Sequence, residues 1–258
     1  MIPEERRNRV VDYIKLKKTA TISEISNKFD ISEITVRRDF DKLSRQGIIK
    51  KVYGGAAVIN TFLIEPIFLQ RIHENREEKK RIAAEAVKRI SDGDIILIES
   101  GSTCLELVKF LPQRKSIKVI TTGPHILNAL CDLRRAGKFD GEIICCGGIW
   151  RKEPDIFVGP QAMDFFNSIK INTAFFGVVA INLKDGWMAS NIFEAELTKK
   201  IICSAEKIIG ITVHPKFEKM SFTKIGPLTL FNEIITDNDL EPEILERYRK
   251  AKINITVC

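Results

Sequence analysis

Apolar residues recur at helical spacing through the first 45 positions of the chain and predict three helices. In the first helix, over residues 4–17, Val10, Val11 and Ile14 face one side. In the third, the apolar residues stand at i, i+4 and i+7, which places them on one buried face. The stripes of the second and third helices are Ile22, Ile25 and Phe29, and Val36, Phe40 and Leu43. Three short amphipathic helices predict a small N-terminal domain.

A capping box and a short turn join the second helix to the third. Thr21 and Glu24 have the spacing at which each side chain bonds the other residue's backbone amide, so a helix begins there. Only Asp30 and Ile31 separate its end from Ser32, whose hydroxyl can cap the next helix. A short helix, a tight turn and a longer helix are the arrangement of a helix-turn-helix.

The third helix has a basic outer face. At 100° per residue, Arg38, Lys42 and Arg45 fall opposite its apolar stripe. Thr35 and Arg37 lie on the flanks of this face. Charged helix faces are often only solvated, but the helix-turn-helix arrangement favours DNA binding.

A β-ribbon is predicted after the third helix. Gly47 ends the helix, and residues 48–53 mix apolar with basic residues, as a ribbon lying over a phosphate backbone would. A Gly-Gly pair at 54–55 then turns the chain. The bland alternative for the whole stretch is a solvated helix in which Arg37 pairs with Asp41 one turn further on. The added ribbon makes a winged helix-turn-helix the better interpretation.

From residue 77 onward, helical patterns alternate with short, continuous apolar runs. Such runs are typical of strands buried on both faces, so the alternation predicts a doubly wound, mostly parallel α/β sheet. The predicted strands are 94–99, 117–121, 142–146, 173–179, 207–213, 233–236 and 253–257. The predicted helices are 77–90, 102–111, 124–136, 160–168, 191–205 and 240–250. The chain therefore divides into a winged helix-turn-helix domain (1–57), a linker (58–76) and an α/β domain (77–258).

Glycines and small hydroxyl side chains follow four of these strands. Ligands of open parallel sheets bind beyond the carboxyl ends of strands, where glycine permits close approach and helix N-termini offer amides to anions. One glycine after a strand is usually part of a turn, but four at one edge favour an anionic small ligand. The residues are Ser100, Gly101, Ser102 and Thr103, then Thr122 and Gly123, then Gly147 and Gly148, and finally Gly177.

Charge and composition narrow the class of protein. The net charge is +7, and thirteen basic against eight acidic residues place +5 of it within residues 1–57, which points to a polyanion contacted by the N-terminal domain. No apolar run approaches the ~20 residues of a membrane span, and the N-terminus lacks the apolar core of a signal peptide. We therefore expect a cytoplasmic protein with no membrane partner. Six cysteines without Cys-x-x-Cys spacing predict reduced thiols, no metal site and no cofactor.

Two sets of residues carry a resemblance to a known family. The first runs through Ile31-Ser32, Thr35-Val36-Arg37-Arg38-Asp39-Phe40, Leu43, Gly47 and Tyr53-Gly54-Gly55-Ala56. The second includes Lys79-x-Arg81-Ile82-Ala83, Gly101-Ser102-Thr103, Gly147-Gly148-x-x-Arg151, Glu194-Ala195 and Lys216-Phe217. The first resembles the signature of the DeoR family of bacterial transcriptional regulators, and the second resembles that family's sensor domain. The resemblance implies a C-terminal fold like those of ribose-5-phosphate isomerase and glucosamine-6-phosphate deaminase, with a sugar phosphate or related metabolite that alters operator affinity.

Some positions depart from the family's usual pattern. Glu99 stands where Asp is common, and Thr122 stands where Asn is common. Asn172 and Val213 each replace an Asp. All four lie in or near the expected ligand edge, so the pocket is carried over from the family and the identity of the effector is not.

The leading hypothesis is a regulator, most simply a repressor of a carbohydrate operon, whose third helix reads the major groove. Thr35 and Arg38 are the candidate base contacts, and Ile34 gains from its exposed position only if it meets a thymine methyl. The candidate DNA-contacting residues are Ser32, Glu33, Ile34, Thr35, Arg37, Arg38, Lys42, Arg45, Lys50, Lys51 and Tyr53. The candidate effector-binding residues are Glu99, Gly101, Ser102, Thr103, Thr121, Thr122, Gly123, Gly147, Gly148, Arg151, Gly177, Glu194 and Lys216. A dimer or tetramer is expected, because one DNA-binding domain buries too little surface for tight specific binding.

Several effector candidates have ordinary structural alternatives. Lys216 follows a strand end and is the best candidate for a phosphate contact, although a loop lysine is more often solvated. Glu194 near a helix start could simply favour the helix dipole. Ser102 and Thr103 could cap a helix, and His125 could be a structural histidine.

The second hypothesis is an enzyme, a sugar-phosphate isomerase or deaminase that carries a DNA-binding domain. Such chemistry needs a carboxylate base, usually with a second acid or a histidine to move protons. Glu99, Glu194 and His125 are available, but no acid–base pair stands at a telling spacing. Asn172 and Val213 also lack the acidic groups of the family. We therefore expect no catalytic site.

Overall fold

The chain forms two compact units that divide between residues 67 and 68. The computed structural model describes residues 3–17, 19–45, 48–58 and 68–258. The helix end predicted at Gly47 and residues 59–67 of the predicted linker lie outside the described residues. Among the residues that are described, none of the helices is long and apolar enough to cross a bilayer.

The N-terminal unit is a helix-turn-helix with a β-ribbon, which confirms the predicted architecture. Its core closes on the predicted stripe of the third helix, where Val36, Phe40 and Leu43 are 0, 1 and 2 % exposed. The elements are α1 (Pro3–Lys17), β1 (Thr19–Thr21), α2 (Ile22–Phe29), α3 (Glu33–Arg45), β2 (Ile49–Val52) and β3 (Gly55–Val58). The strand β1 was absent from the sequence pattern and makes the ribbon a three-stranded antiparallel sheet of order β1-β3-β2.

Local hydrogen bonds fix the turn between α2 and α3. The Thr21 hydroxyl accepts from the Glu24 amide at 3.1 Å, and the Thr21 amide donates to the Glu24 carboxylate at 2.7 Å, which completes the predicted capping box. After α2, Asp30 takes a left-handed backbone with φ of 50°. The Ser32 hydroxyl then accepts from the Thr35 amide at 3.3 Å. Both helix starts are therefore specified by side chains that the sequence identifies.

The second unit is built on a seven-stranded sheet in which every neighbouring pair is parallel. The strands of the second unit, in chain order, begin with β4 (Ile95–Ile98), β5 (Lys118–Thr121), β6 (Glu142–Cys145), β7 (Ile149–Arg151), β8 (Ile156–Val158) and β9 (Ile171–Gly177). There follow β10 (Ala180–Asn182), β11 (Gly186–Ala189), β12 (Ala205–Ile211), β13 (Thr223–Gly226), β14 (Glu233–Thr236) and β15 (Ile255–Val257). The order β15-β14-β12-β9-β4-β5-β6 confirms the doubly wound α/β prediction.

Helices cover both faces of this sheet. They are α4 (Phe68–Arg71), α5 (Arg76–Ala86), α6 (Ser102–Val108), α7 (Pro124–Arg135), α8 (Pro160–Phe165), α9 (Ile192–Ile202) and α10 (Pro242–Lys250). Along β4, Ile96 and Ile98 belong to the core that contains α5, α6 and α7, whereas Leu97 belongs to the core that contains α8, α9 and α10. Because both faces are buried, the strand reads as a continuous apolar run.

The remaining short strands form two small antiparallel sheets that the sequence pattern does not predict. β7 pairs with β8, and β11 pairs with both β10 and β13. Strands of three or four residues are too short to show an alternating pattern. The β7–β8 ribbon follows β6 and stands near the predicted ligand edge, since the Phe157 amide donates to the Thr122 carbonyl at 2.8 Å.

Candidate DNA-binding face and effector crevice

The outer face of α3 is exposed. Arg37, Arg38 and Lys42 all lie on it, and Arg37 approaches Glu33 to 3.6 Å in a solvated i, i+4 pair. Such a pair contributes little and leaves the guanidinium available for another partner. The side chain of Arg45 lies outside the described part of the structure. α3 thus offers a basic face opposite its buried stripe.

The first turn of α3 presents hydroxyl and apolar groups outward. The Ser32 and Thr35 hydroxyls lie 2.9 Å apart. Ile34 is 66 % exposed on the outer side of this turn. Thymine methyl groups in a major groove are the apolar partners that such a side chain can meet.

The wing carries its charges on the strand next to α3. Lys50 and Lys51 on β2 are exposed, and Lys51 donates to the Asp41 carboxylate at 2.6 Å. Asp41 therefore pairs with Lys51 of the wing, whereas Arg37, which the alternative interpretation paired with Asp41, approaches Glu33. Tyr53 is fully exposed at the tip of the hairpin.

One ionic cluster of the N-terminal unit was not predicted from the sequence. Asp39 on α3 is only 4 % exposed. Its carboxylate accepts from Arg6 of α1 at 2.7 and 3.2 Å and lies 3.6 Å from Arg7. The hydrogen bond to Asp39 raises the pKa of Arg6. Arg6 and Arg7 thus hold α1 against α3 instead of forming a free basic surface.

In open parallel sheets the ligand crevice lies where the order of the strands reverses, and in the second unit this point is at β4. β4 lies between β5 and β9, and the chain first builds the sheet on one side of β4 and later on the other. Three of the predicted glycines meet there. A Cβ on Gly123 would lie 3.0 Å from the Ser100 Cα, and one on Gly177 would lie 3.5 Å from the Gly101 Cα. The absence of side chains at these positions lets the backbone segments pack closely at the carboxyl ends of the strands.

Three other predicted effector residues stand behind this crevice. Thr121 and Thr122 are fully buried, and the Thr121 hydroxyl accepts from the Gly123 amide at 3.0 Å. Glu99 is 3 % exposed and accepts from the Thr198 hydroxyl at 3.1 Å. None of the three is open to a ligand in this conformation, so the structure does not place them as direct contacts.

Predicted residues stand at the starts of α9 and α6, of which α9 has a side-chain cap and α6 has none. The Glu194 carboxylate accepts from the Ser190 hydroxyl at 2.9 Å and from the Asn191 amide group at 3.2 Å. The Asn191 side chain in turn accepts from the Glu194 amide at 2.9 Å, which caps α9. Ser102 and Thr103 open α6 and are buried. The Glu194 carboxylate is thus bonded within the first turn of α9, whereas the Ser102 and Thr103 side chains do not cap α6.

The predicted residues on the β7–β8 ribbon lie further out. Gly148 has a φ of 107°, and a Cβ there would lie 2.6 Å from the Val158 carbonyl, so this glycine is required by the pairing of the ribbon. Gly147 also has a positive φ, of 69°. The Arg151 guanidinium lies 5.0 Å from the centre of the Phe193 ring.

A buried lysine near the crevice is not among the predicted site residues. Lys79 on α5 is 4 % exposed, and its ammonium donates to the backbone carbonyls of Arg71 and Glu74. The pKa of Lys79 is lowered to about 8, mainly by burial of its ammonium. The charges of Lys216 and Arg71 also lower this pKa, and those of Glu74 and Glu106 raise it. Lys79, Arg71 and Lys216 therefore form a cationic cluster. In the sequence, Lys79 stands in a charged run and in the stretch Lys79-x-Arg81-Ile82-Ala83 that resembles the family, but neither feature indicates that it is buried.

Two histidines are held by buried carboxylates. His125, just beyond β5, forms a hydrogen bond through Nδ1 with the Asp155 carboxylate. Asp155 is 1 % exposed and also accepts from the Trp150 indole at 3.0 Å. His214, beyond β12, bonds Asp237 through Nδ1 at 2.7 Å. Both imidazole rings thus have one nitrogen engaged within the protein.

The second of these pairs offers metal-ligand atoms at suitable spacing. His214, Asp237 and Asp239 place one such atom each within 4.8 Å of the others. The Asp237 oxygens already accept from the His214 amide at 2.8 Å and from the Asp239 amide at 3.1 Å. We therefore interpret the group as a hydrogen-bond cluster that fixes the loop after β12.

Comparison with known proteins identifies both units. The family model of the DeoR-like helix-turn-helix domain matches residues 6–62, and that of the DeoR C terminal sensor domain matches residues 74–238. The transcriptional regulator IolR of Bacillus subtilis is 29% identical over 250 residues, with 97% of each chain covered. The regulator GlpR of Haloferax volcanii is 26% identical over 255 residues, which cover 99% of this chain and 98% of that protein. The glycerol-3-phosphate regulon repressor of Escherichia coli is 22% identical over 254 residues, with 98% of each covered.

Solved structures with a similar backbone are more distant. Ribose 5-phosphate isomerase from Plasmodium falciparum has a TM-score of 0.39 at 16% identity, over 55% of this chain and 52% of that one. The delta subunit of eIF2B from Chaetomium thermophilum has a TM-score of 0.46 at 16% identity, over 63% of this chain and 56% of that one.

Proposed function

The chain belongs to the DeoR family of transcriptional regulators, and from this premise we propose that it represses a carbohydrate-metabolism operon until a phosphorylated metabolite binds its second unit. Its relatives are named as transcriptional regulators, which are not enzymes, so the chain is a regulator and not an isomerase. The observation that carries the proposal is the exposed basic face of α3, which lies opposite the buried stripe of the same helix.

In the proposed complex, α3 lies in the major groove with its first turn toward the base edges. Thr35 and Arg38 contact bases, and Glu33 and Ile34 tune the choice of site. Contacts to phosphate fix the register of the protein on the duplex without reading its sequence. The proposed phosphate contacts are Lys42, Arg45, Lys50 and Lys51, with Ser32, Arg37 and Tyr53 at the edges of the interface.

Arg38→Ala and Lys50→Ala are expected to separate base reading from phosphate binding. Arg38→Ala should weaken binding by about 1–3 kcal/mol and relax the preference at one base pair, because a bidentate base contact is lost. Lys50→Ala should weaken all sequences alike and reduce the salt slope by about one. The measurement is titration of both variants on a duplex selected from a random pool and on a scrambled duplex. Equal losses on both duplexes for Arg38→Ala would refute its assignment.

For the second unit, we propose a phosphorylated sugar or a related metabolite as the effector. The cationic cluster of Lys79, Arg71 and Lys216 supplies charge for an anion, and the sheet edge at Gly101 and Gly177 is where open parallel sheets bind their ligands. One relative is named a glycerol-3-phosphate regulon repressor, which agrees with a phosphate monoester. The effector acts if it binds more tightly to one arrangement of the chain than to another.

We further propose that the regulator works as a dimer or tetramer in the cytoplasm. Two helix-turn-helix units bind two half-sites about one helical turn apart, so the symmetry of the operator reflects that of the protein. A single unit of this size buries too little DNA for the affinity of a specific repressor.

A thermal-shift panel tests the effector class. A phosphorylated sugar present at about 100 times its dissociation constant should stabilise the second unit by about 2.7 kcal/mol, or roughly 5–10 °C. Trp150 and Trp187 both belong to this unit, so tryptophan fluorescence reports its melting. Each compound is compared with its unphosphorylated counterpart. Failure of every phosphorylated compound to raise the melting temperature would contradict the assignment of the effector.

A further inference from the structure

The first eight residues of the second unit form a short helix and a turn, which we call the strap (residues 68–75). α4 covers Phe68–Arg71, and the turn ends at Asn75, whose left-handed backbone has a φ of 48°. In sequence, the strap directly follows the residues that join the two units. Along the chain, the strap is therefore the segment with which the second unit begins.

The strap is held by the loop of the β7–β8 ribbon and by His125 in the first turn of α7. Phe68 is 2 % exposed, and the centre of its ring lies 4.5 Å from that of His125. The Phe68 amide donates to the Glu153 carboxylate at 3.4 Å. The Arg71 guanidinium donates to the Pro154 carbonyl at 3.5 Å. One aromatic contact and two hydrogen bonds thus anchor α4.

The same loop also touches the crevice. The Ser100 hydroxyl donates at 3.4 Å to the Pro154 carbonyl, which is the group that accepts from Arg71. Asp155, the next residue, holds His125 under the Phe68 ring. The Pro154 carbonyl is therefore an acceptor shared between the glycine-lined crevice and the strap.

Lys79 makes a second connection between the strap and the crevice. Its ammonium donates to the carbonyls of Arg71 and Glu74, and both of these residues belong to the strap. Lys216 lies close enough for its like charge to lower the pKa of Lys79. An anion that binds between the two lysines would compete with the strap carbonyls for the Lys79 ammonium, because charge-assisted hydrogen bonds are the stronger ones.

From these contacts we propose that the strap transmits occupancy of the crevice to the N-terminal unit, an inference that rests on the proposed function. A bound phosphate draws the Lys79 ammonium away from the Arg71 and Glu74 carbonyls. A ligand oxygen takes the Ser100 hydroxyl from the Pro154 carbonyl. Both changes weaken ties of the strap, so the strap opens more easily when the crevice is occupied. A difference in affinity between the two states of the strap is sufficient for regulation.

Hydrogen exchange of the strap amides in the full chain is the direct test. The probe is inorganic phosphate, compared with chloride at the same ionic strength. In the wild type, phosphate should raise the melting temperature of the second unit and speed exchange across residues 68–75 by about fivefold or more. Amides of the central strand β4 should show no such change.

Variants of the strap's anchors isolate its role from ligand binding. Phe68→Ala should speed exchange of the strap about tenfold without phosphate, and phosphate should then add less than about twofold. Its stabilisation by phosphate should stay within about twofold of the wild type, since the ring is not a proposed ligand contact. Glu153→Ala removes the acceptor of the Phe68 amide and should act in the same direction if Phe68→Ala fails to fold. Lys152→Ala, exposed in the same loop, is the matched control and should behave as the wild type.

The functional readout is operator affinity with and without phosphate, on a duplex selected by the wild type from a random pool. The wild-type ratio should exceed about fivefold, and Phe68→Ala should reduce it to below about twofold. Stabilisation by phosphate with unchanged exchange of the strap, or an undiminished affinity ratio in Phe68→Ala and Glu153→Ala, would overturn the inference and leave the proposed function intact. If phosphate neither stabilises the wild type nor changes exchange of its strap, the anion site is overturned, and with it both the proposed effector and the role of the strap.

Discussion

Replacing Asp39 with alanine is expected to destabilise the N-terminal unit by about 3 kcal/mol, or roughly 10–20 °C for a domain of this size. The carboxylate is 4 % exposed and accepts from Arg6 at 2.7 and 3.2 Å, with Arg7 at 3.6 Å. Alanine would leave two half-buried guanidinium groups of α1 without this counter-charge. It would also remove the polar connection between α1 and α3, whose outer face is proposed to meet the DNA.

The Asp39→Ala experiment has an internal and an external control. Melting of the N-terminal unit is followed by hydrogen exchange, while the fluorescence of Trp150 and Trp187, both in the second unit, should keep its wild-type transition. Asp41→Ala, two residues along α3, removes the exposed pair with Lys51 and should cost at most about 1 kcal/mol. If the two variants lose the same stability, the buried cluster is not what holds α1 to α3.

The N-terminal unit could be predicted well from the sequence because its signals are local. The stripe of Val36, Phe40 and Leu43 sets the buried face of α3. The pair of Thr21 and Glu24 sets the start of α2. Each signal spans no more than eight residues, so no tertiary information is needed to interpret it. The sheet order of the second unit follows less directly, from the rule that helices alternate with buried parallel strands.

The small ribbons could not be predicted, for a physical reason visible in β7. Ile149, Trp150 and Arg151 are all exposed, so the strand shows no alternation between a buried and an exposed side. Only pairing with β8 makes it a strand. The consequence for function is that Pro154, in the loop of this ribbon, could not be connected with the strap or with Ser100 before the fold was known.

The sequence predicts which residues of the candidate site meet at the sheet edge, because the backbone of a parallel sheet determines this. It does not predict which of these residues are buried. Gly101 and Gly177 meet because parallel strands end at the same sheet edge. Thr122 follows a strand in the same way but is fully buried, and strand order alone does not distinguish the two cases. Lys79 stands in a run of charged residues that reads as a solvated helix face, yet α5 turns it inward against the strap.

Lys79→Met is expected to weaken binding of a phosphorylated ligand by about 10- to 100-fold, because a charge-assisted hydrogen bond from a buried ammonium is lost. Methionine keeps the length and apolar stem of the side chain, so packing of α5 is retained. Lys80→Met is the matched control. Lys80 is the next residue on α5, its side chain is 41 % exposed, and it pairs with Glu77 at 2.7 Å, so its loss should change affinity by less than about twofold. The measurement is calorimetric titration with the most stabilising compound of the thermal-shift panel.

The pH dependence of the same titration identifies the lysine by its pKa. The pKa of Lys79 in the folded chain is about 8, below the ordinary lysine value of 10.5, because burial disfavours the ammonium. Between these values the unfolded chain holds the additional proton, so stability of the second unit rises with pH in this window instead of falling. An anion prefers the protonated form, so wild-type affinity should fall by about fivefold from pH 8 to pH 9, where the phosphate remains dianionic. The affinity of Lys79→Met should not depend on pH in this range, whereas that of Lys80→Met should follow the wild type. If Lys79→Met keeps the wild-type pH dependence, then another group titrates and makes the contact to the anion.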